Sequence, residues 1–191
     1  MGERGPNVRL RKTCDAPPEA VYDLLVDLRS HALWGGARQR GNFRLLSLSA
    51  PAGPAEVGTV FTSTGAIPMS ARRWNDRSTV TVATRPTTLE FVTEARAENK
   101  RSAMTARYVH RYNIAPDGRG SRVTYTLTEE RIAAPMLRFG LPVVRAMTWS
   151  MAAFMLARGF RNLLQEATSR YARMQRQETE ASSSARRQVE V

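Results

Sequence analysis

The sequence predicts an α+β domain in which a curved antiparallel sheet of about seven strands wraps around one long C-terminal helix. Between residues 42 and 131 apolar residues recur at every second position, in short runs separated by proline and glycine, which is typical of antiparallel strands. Residues 142–171 instead carry apolar residues at helical spacing, with no proline after Pro142. The apolar face of the sheet and the apolar surface of the helix must both be buried away from water, and packing the helix on the sheet achieves this.

The chain is expected to begin with a short strand, residues 8–13, followed by two short helices. Two consecutive prolines at positions 17 and 18 suit a first helical turn, where a missing amide hydrogen costs little. Apolar residues within 21–28 then follow helical spacing, so one face of this helix should be buried. Ser30 predicts the N-cap of a second short helix that carries Trp34, and His31 beside it is expected at the surface or just behind a site.

Strand candidates fill the middle of the chain. They are residues 43–49, 58–64, 70–75, 79–84, 88–97, 104–114 and 122–131. The clearest break between them is residues 116–120, Pro-Asp-Gly-Arg-Gly, which predicts a hairpin turn. Because no helix is predicted between these strands, we expect consecutive strands to pair antiparallel. The register around Arg72 and Arg73 stays open, since Pro68 disturbs the alternation before them.

The long helix is apolar nearly all round in its first half, which means that this half is enclosed. Met147, Met151 and Met155 lie on one of its faces, and flexible methionine side chains suit surfaces that accept variable shapes. They are either ordinary core residues or one wall of a hydrophobic pocket. We predict a single domain over residues 8–173, followed by a disordered polar tail over residues 174–191, because that tail has few apolar residues.

Composition narrows the classes of function. The formal net charge is +12, so the surface should favour anions, and peripheral contact with acidic membranes is the weakest of three hypotheses. The basic residues are scattered rather than arranged in a stripe with aromatics, so we expect no nucleic-acid partner. With one cysteine and two histidines, no metal site and no cofactor are expected. No signal segment or long apolar run occurs, and we expect a cytoplasmic protein.

Several features together resemble a known superfamily. They are the opening strand, the segment Ala16-Pro17-Pro18-Glu19-Ala20-Val21-Tyr22-Asp23-Leu24-Leu25-Val26-Asp27 with Trp34 soon after, the strand meander and the terminal helix. Over residues 8–171 the chain resembles the START/SRPBCC superfamily with its helix-grip fold, and within it the polyketide cyclase/dehydrase and lipid-transport group. This resemblance implies a cavity between sheet and helix that holds a hydrophobic small molecule. It implies no fixed catalytic set.

The hairpin around Gly118 places polar groups on a face that should be apolar. A tight turn there pairs His110 with Leu127 and Tyr108 with Glu129, all on the inner face. Two interpretations stay open. In the first, the polar ends of these side chains form hydrogen bonds with one another and line a partly hydrated cavity. In the second, His110 and Glu129 act as acid and base on a bound ligand.

Two main functional hypotheses follow. One is binding, with transport as an extension, of a polyketide-like molecule or lipid; the other is a cyclase or dehydratase that uses pocket acid–base chemistry. Tyrosines could orient a carbonyl or a phenol in either case. The predicted ligand-binding residues are Phe61, Trp74, Phe91, Tyr108, His110, Tyr112, Tyr125, Leu127, Glu129, Met147, Met151 and Met155.

Overall fold

Seven strands pair into one open antiparallel sheet. The computed structural model describes residues 8–37, 44–66, 73–98, 103–133 and 142–189. The strands are β1 (Val8–Cys14), β2 (Arg44–Ser49), β3 (Val60–Ala66), β4 (Arg73–Thr84), β5 (Thr88–Glu98), β6 (Ala103–Asp117) and β7 (Gly120–Ala133). Their spatial order is β1-β7-β6-β5-β4-β3-β2. Consecutive strands are therefore neighbours from β2 to β7, as the predicted meander requires. Strand β1 pairs with β7 and forms that edge of the sheet.

Helices follow β1 and β7. After β1 come α1 (Pro18–Val26), a short 3-10 helix (Leu28–Ser30) and a π-helical turn (Ala32–Ala37), and after β7 comes α2 (Pro142–Val189). The predicted α+β class, with two short helices after the first strand and one long C-terminal helix, is confirmed. The predicted strands at 70–75 and 79–84 are one strand, β4, with an irregularity between Val80 and Val82. Residues 70–72 and Phe43 lie outside the described residues.

The core lies between the inner face of the sheet and the helices. On α2, Phe160, Leu163, Leu164 and Ala167 are buried in one cluster with residues of α1 and of the sheet. The ring of Phe160 lies 6.2 Å from the ring of Tyr125 on β7, measured between centroids. This contact seats the middle of α2 over the inner face, and the amphipathic spacing of its apolar residues explains why that side is buried.

A close backbone approach fixes β1 against the β6–β7 hairpin. Ser121 is fully buried, and its hydroxyl donates a hydrogen bond of 2.7 Å to the carbonyl oxygen of Ala16. A Cβ atom at Gly120 would lie 2.1 Å from the carbonyl oxygen of Cys14, so only glycine permits this approach. The turn itself has Gly118 at a φ of 61°, as its sequence predicts.

The C-terminal segment differs from the expectation of a disordered tail after residue 173. α2 continues through residues 174–189, and its side chains from 172 to 183 are exposed. No glycine or proline interrupts this stretch, and extending a helix that is already packed avoids the cost of a new nucleus. Low apolar content therefore correctly indicates exposure here, although the backbone is helical.

Candidate ligand-binding site

The hairpin register brings the predicted polar residues to one face. His110 pairs with Leu127 and Tyr108 pairs with Glu129. An irregularity follows at Arg107, which pairs with Arg131 on the outer face. Because strands alternate faces, Tyr108, His110, Leu127 and Glu129 all point to the side that α2 covers. The structure thus gives the predicted pairing, while the functions of these residues stay predictions.

Aromatic rings form a continuous wall across β3 to β7. The rings of Phe91 and His110 are stacked at 4.7 Å, with an angle of 14° between their planes. Phe61 meets Phe91 edge-on at 5.3 Å, and Tyr112 lies 4.7 Å from Tyr125. Offset and edge-on geometries of this kind favour ring packing. Five of the seven predicted ring residues therefore lie together, with the buried Leu127 opposite His110 on the neighbouring strand.

His110 and Tyr125 form the clearest polar contact of this wall. The His110 Nδ1 atom and the Tyr125 hydroxyl are hydrogen-bonded at 2.9 Å. Burial, and next the nearby His31, lower the pKa of His110 to about 3. Burial, and next Tyr112, raise the pKa of Tyr125 well above 10. Both side chains are consequently neutral near pH 7, and one of them donates an ordinary hydrogen bond to the other.

Two carboxylates flank Tyr108 at one end of the wall. Glu129 is buried, with 5% of its surface exposed. Burial, then the charges of Glu129 and Asp76, raise the pKa of Tyr108 to about 12. Burial also raises the pKa of Asp76 from its ordinary 3.8 to about 7. A hydroxyl pair, Ser78 on β4 and Thr93 on β5, hydrogen-bonded at 2.8 Å, continues the cross-strand row of Tyr108 and Glu129.

Sequence reasoning missed Asp76. The sequence did contain a signal, because every second position after Trp74, which was predicted to bind ligand, gives Asp76, Ser78 and Val80; these residues do alternate with more exposed ones along β4. The uncertain register near Pro68 concealed it. The strand is regular over this stretch, with Asp76 opposite Ala95, so its carboxylate lies on the inner face.

Trp74 is also on the inner face. It pairs with Gly65 on β3, and a Cβ atom at Gly65 would lie 2.1 Å from the indole ring. The missing side chain therefore makes the space that the ring occupies. Within the described part of the chain, the buried Trp74 Nε1 has no hydrogen-bond partner. Arg73 is exposed on the other face, and Arg72 lies outside the described residues.

His31 is buried rather than at the surface. Its Nε2 atom lies 2.9 Å from the carbonyl oxygen of Leu25, and since a carbonyl only accepts, this nitrogen carries the proton. The ring lies 4.5 Å from Trp34 and 6.4 Å from Phe91. Burial lowers the pKa of His31 to about 4. The sequence left open whether His31 lies at the surface or just behind a site, and its position next to Phe91 of the aromatic wall corresponds to the second alternative.

The backbone of Met147, Met151 and Met155 belongs to α2, but their side chains lie outside the described residues. Their part in a pocket therefore stays a prediction.

A second concave feature lies at the hairpin end of the sheet. It is an open groove of about 730 Å³, lined by Thr13, Cys14, Asp15, Asp117, Arg119, Gly120, Leu164, Gln165, Thr168 and Ser169. Burial raises the pKa of the Cys14 thiol, so this cysteine is protonated and a poor nucleophile near neutral pH. None of the predicted site residues lines this groove.

Metal and membrane-spanning features are absent from the part of the chain that the structure describes. There, no group of three or more histidine, cysteine, aspartate or glutamate residues is placed to hold a metal ion. No helix within the described ranges is long and apolar enough to cross a membrane.

An open seven-stranded antiparallel sheet, short helices after its first strand and a long C-terminal helix define a helix-grip domain. A family model described as "Polyketide cyclase / dehydrase and lipid transport" matches residues 6–168. The chain belongs to this family, and the resemblance seen in the sequence is confirmed. The family and its fold support a general ligand-binding role. None of the curated proteins matches the chain significantly.

Solved structures share the fold at low sequence identity. A protein of Chromobacterium violaceum is 14% identical, with a TM-score of 0.58, covering 84% of this chain and 96% of its own. One of Rhizobium leguminosarum is 8% identical, with a TM-score of 0.59 and coverage of 85% and 93%. One of Thermus thermophilus is 20% identical, with a TM-score of 0.55 and coverage of 85% and 97%. These similarities concern the fold alone.

Proposed function

We propose that the protein binds, and passes on, a hydrophobic small molecule or lipid held between the inner face of the sheet and α2. The observation that carries this proposal is the aromatic wall of Phe61, Phe91, His110, Tyr112 and Tyr125. An apolar ligand gains about 25 cal/mol for each Å² removed from water. The polar tips along the wall then fix its orientation.

The uneven exposure of the wall supports a space beside it. Tyr112 and Tyr125 are buried beneath α2, whereas Ala95 and Tyr108 on the same face keep part of their surface accessible. Their neighbours Ala97 and Ala106 are buried, so the partly accessible surface is confined to a patch around Tyr108 and Ala95. We place the ligand at this patch.

A blocking substitution tests binding. Nile red, a neutral apolar dye, should bind the wild-type protein with enhanced fluorescence. Ala95→Trp should abolish this binding, because the new ring occupies the proposed space. Thr105→Trp is the matched control, since Thr105 is exposed on the outer face of β6, and it should bind the dye normally. Equal dye binding by both variants would contradict the proposal.

A second candidate function is cyclase- or dehydratase-type catalysis. The observation that favours it is the neutral His110 hydrogen-bonded to Tyr125 inside the wall, with Glu129 on the neighbouring strand. A base with a pKa near 3 is weak, whereas Asp76 titrates near neutral pH, where acid–base catalysis is most effective.

His110→Ala separates the two functions. Catalysis by His110 predicts lost turnover with ligand affinity retained, whereas a binding protein changes its affinity at most. Native mass spectrometry of protein from its own source would supply the ligand for this assay, because a retained molecule identifies its own class by mass.

Peripheral contact with acidic membranes stays a weaker proposal, supported only by the net charge of +12. Co-sedimentation with vesicles should then increase with their content of anionic lipid and decrease with salt. Co-sedimentation that does not change with either the anionic-lipid content or the salt concentration would contradict this proposal. The cytoplasmic location likewise stays a prediction.

A further inference from the structure

We propose that the open groove beside the β6–β7 turn binds a small zwitterion, either a free amino acid or a short peptide with free ends. The groove has a volume of about 730 Å³, which lies within the range of small-molecule sites. It is formed by the end of β1, the turn between β6 and β7, and α2. No residue of the aromatic wall lines it, so this site is separate from the one in the proposed function.

Two opposite charges line the groove without an ion-pair partner. Asp15 contributes a carboxylate and Arg119 a guanidinium, and within the described ranges neither forms an ion pair. The other carboxylate of the lining, Asp117, pairs with Arg122, whose Nη2 atom lies 2.7 Å from its Oδ1 atom. The groove therefore presents one negative and one positive group, which an ammonium and a carboxylate of the same ligand match.

The two charged side chains start from neighbouring points of the backbone. A Cβ atom at Gly120, the residue after Arg119, would lie 3.0 Å from the Cα atom of Asp15. The buried Ser121 hydroxyl fixes this approach by donating a hydrogen bond of 2.7 Å to the carbonyl oxygen of Ala16. One small molecule can therefore reach both charges, and the fixed backbone beneath it lowers the entropic cost of binding.

The rest of the lining suits a polar ligand rather than the apolar molecule of the proposed function. Gln165, Thr168 and Ser169 belong to α2, and their spacing of three and four positions puts them on the same side of the helix. Their amide and hydroxyl groups both donate and accept hydrogen bonds. Among the described lining residues, Leu164 is the one large apolar side chain, and it can contact an aliphatic side chain of the ligand.

Four ligands that share a leucine side chain test the proposal. L-leucine and glycyl-L-leucine carry both charges, N-acetyl-L-leucine carries only the carboxylate, and L-leucinamide carries only the ammonium. Each is titrated into the full, nitrogen-15-labelled chain, and the amide chemical shifts of residues 13–15, 117–120 and 164–169 are followed. We expect a zwitterion to bind about tenfold more tightly than either singly charged analogue, because a hydrogen bond between charged groups contributes about this factor.

The four affinities separate the proposal from a general charge effect. The net charge of +12 would by itself favour N-acetyl-L-leucine, so a preference for the zwitterions cannot come from it. The tighter of the two zwitterions identifies the source of the ligand, a free amino acid or a peptide.

Substitutions identify the groups responsible. Arg119→Gln should weaken the tighter zwitterion about tenfold and leave L-leucinamide unchanged. Asp15→Asn should weaken the same zwitterion and leave N-acetyl-L-leucine unchanged. Both side chains are exposed, so both variants should fold. Arg77→Gln is the matched control, since it removes an exposed arginine from β4, and it should keep the wild-type affinities.

The outcomes that would overturn the proposal are distinct from those that concern the aromatic wall. Equal affinity for all four ligands, a preference that survives both substitutions, or chemical shifts that do not change at the groove would each overturn it. L-leucine should also leave Nile red bound, because the two sites are separate, and displacement of the dye would overturn the separate site. The proposed function is tested independently by Nile red binding and stands whether or not the groove binds a zwitterion.

Discussion

Replacing Asp76 by asparagine should stabilise the protein at neutral pH. Burial raises the pKa of Asp76 from 3.8 to about 7 in the folded chain. The folded state therefore holds this proton more tightly than the unfolded state does. The stability that this provides is present below about pH 3.8 and is lost as the pH rises through about 7. Asparagine resembles the neutral acid and carries no such loss.

The magnitude follows from the size of the pKa change. A tenfold change in proton affinity is worth about 1.4 kcal/mol, so the rise to about 7 sets an upper bound of about 4 kcal/mol. Asp76 keeps part of its surface in solvent, which screens the effect, and we expect about 2 kcal/mol near pH 7.5. Near pH 4 the variant and the wild type should be almost equally stable, because the folded wild type then holds the neutral acid and the unfolded chain is only partly ionised there.

Urea unfolding followed by tryptophan fluorescence measures this difference at the two pH values. Glu94→Gln is the control, since it removes an exposed carboxylate whose pairing with Arg107 is worth little, and its effect should not exceed about 1 kcal/mol. An Asp76→Asn variant that is no more stable than wild type near pH 7.5 would refute the desolvation argument. So would a gain of the same size at both pH values.

Three further predictions concern packing, pH and the end of the chain. Leu163 is fully buried on α2, so Leu163→Ala should lower the free energy of unfolding by about 2–5 kcal/mol; a loss below about 1 kcal/mol would show that α2 is loosely packed. The pKa of His31 is lowered to about 4, so this residue should contribute a loss of up to about 3 kcal/mol as the pH falls from about 6.5 to 4, because the unfolded state takes up a proton there; His110 adds to this loss and Asp76 opposes it. Compared with the wild type, His31→Gln should therefore lose less stability in urea unfolding between pH 6.5 and 4, and an unchanged pH dependence would contradict this. Deleting residues 174–191 should change stability by less than about 1 kcal/mol while circular dichroism shows less helix, and a truncated chain that fails to fold would refute the boundary at 173.

Local patterns were sufficient to predict most of the architecture. The turn at Gly118 determined the register of β6 and β7, because a tight hairpin leaves few ways to pair its strands. That register placed Tyr108 opposite Glu129 and His110 opposite Leu127, as observed. The helical spacing of apolar residues over 142–171 likewise predicted a helix that packs on the sheet, and Leu163 and Phe160 of α2 are buried.

Features that depend on several distant segments could not be predicted in this way. His31 is buried by rings from two strands that are far away in the sequence. Asp76 was concealed because a proline nearby made the register ambiguous. The helical segment after residue 173 has a composition compatible with either disorder or an exposed helix, and its attachment to a packed helix decides between them.

In the proposed function, an apolar molecule lies between the inner face of the sheet and α2. Nuclear Overhauser measurements on full-length protein with isotope-labelled dodecanol test it directly. We expect contacts from the alkyl chain to the ring protons of Phe91 and Tyr108, and Ala95→Trp should remove them. Contacts confined to the groove near Cys14 and Thr168, or to the outer face of the sheet, would contradict it.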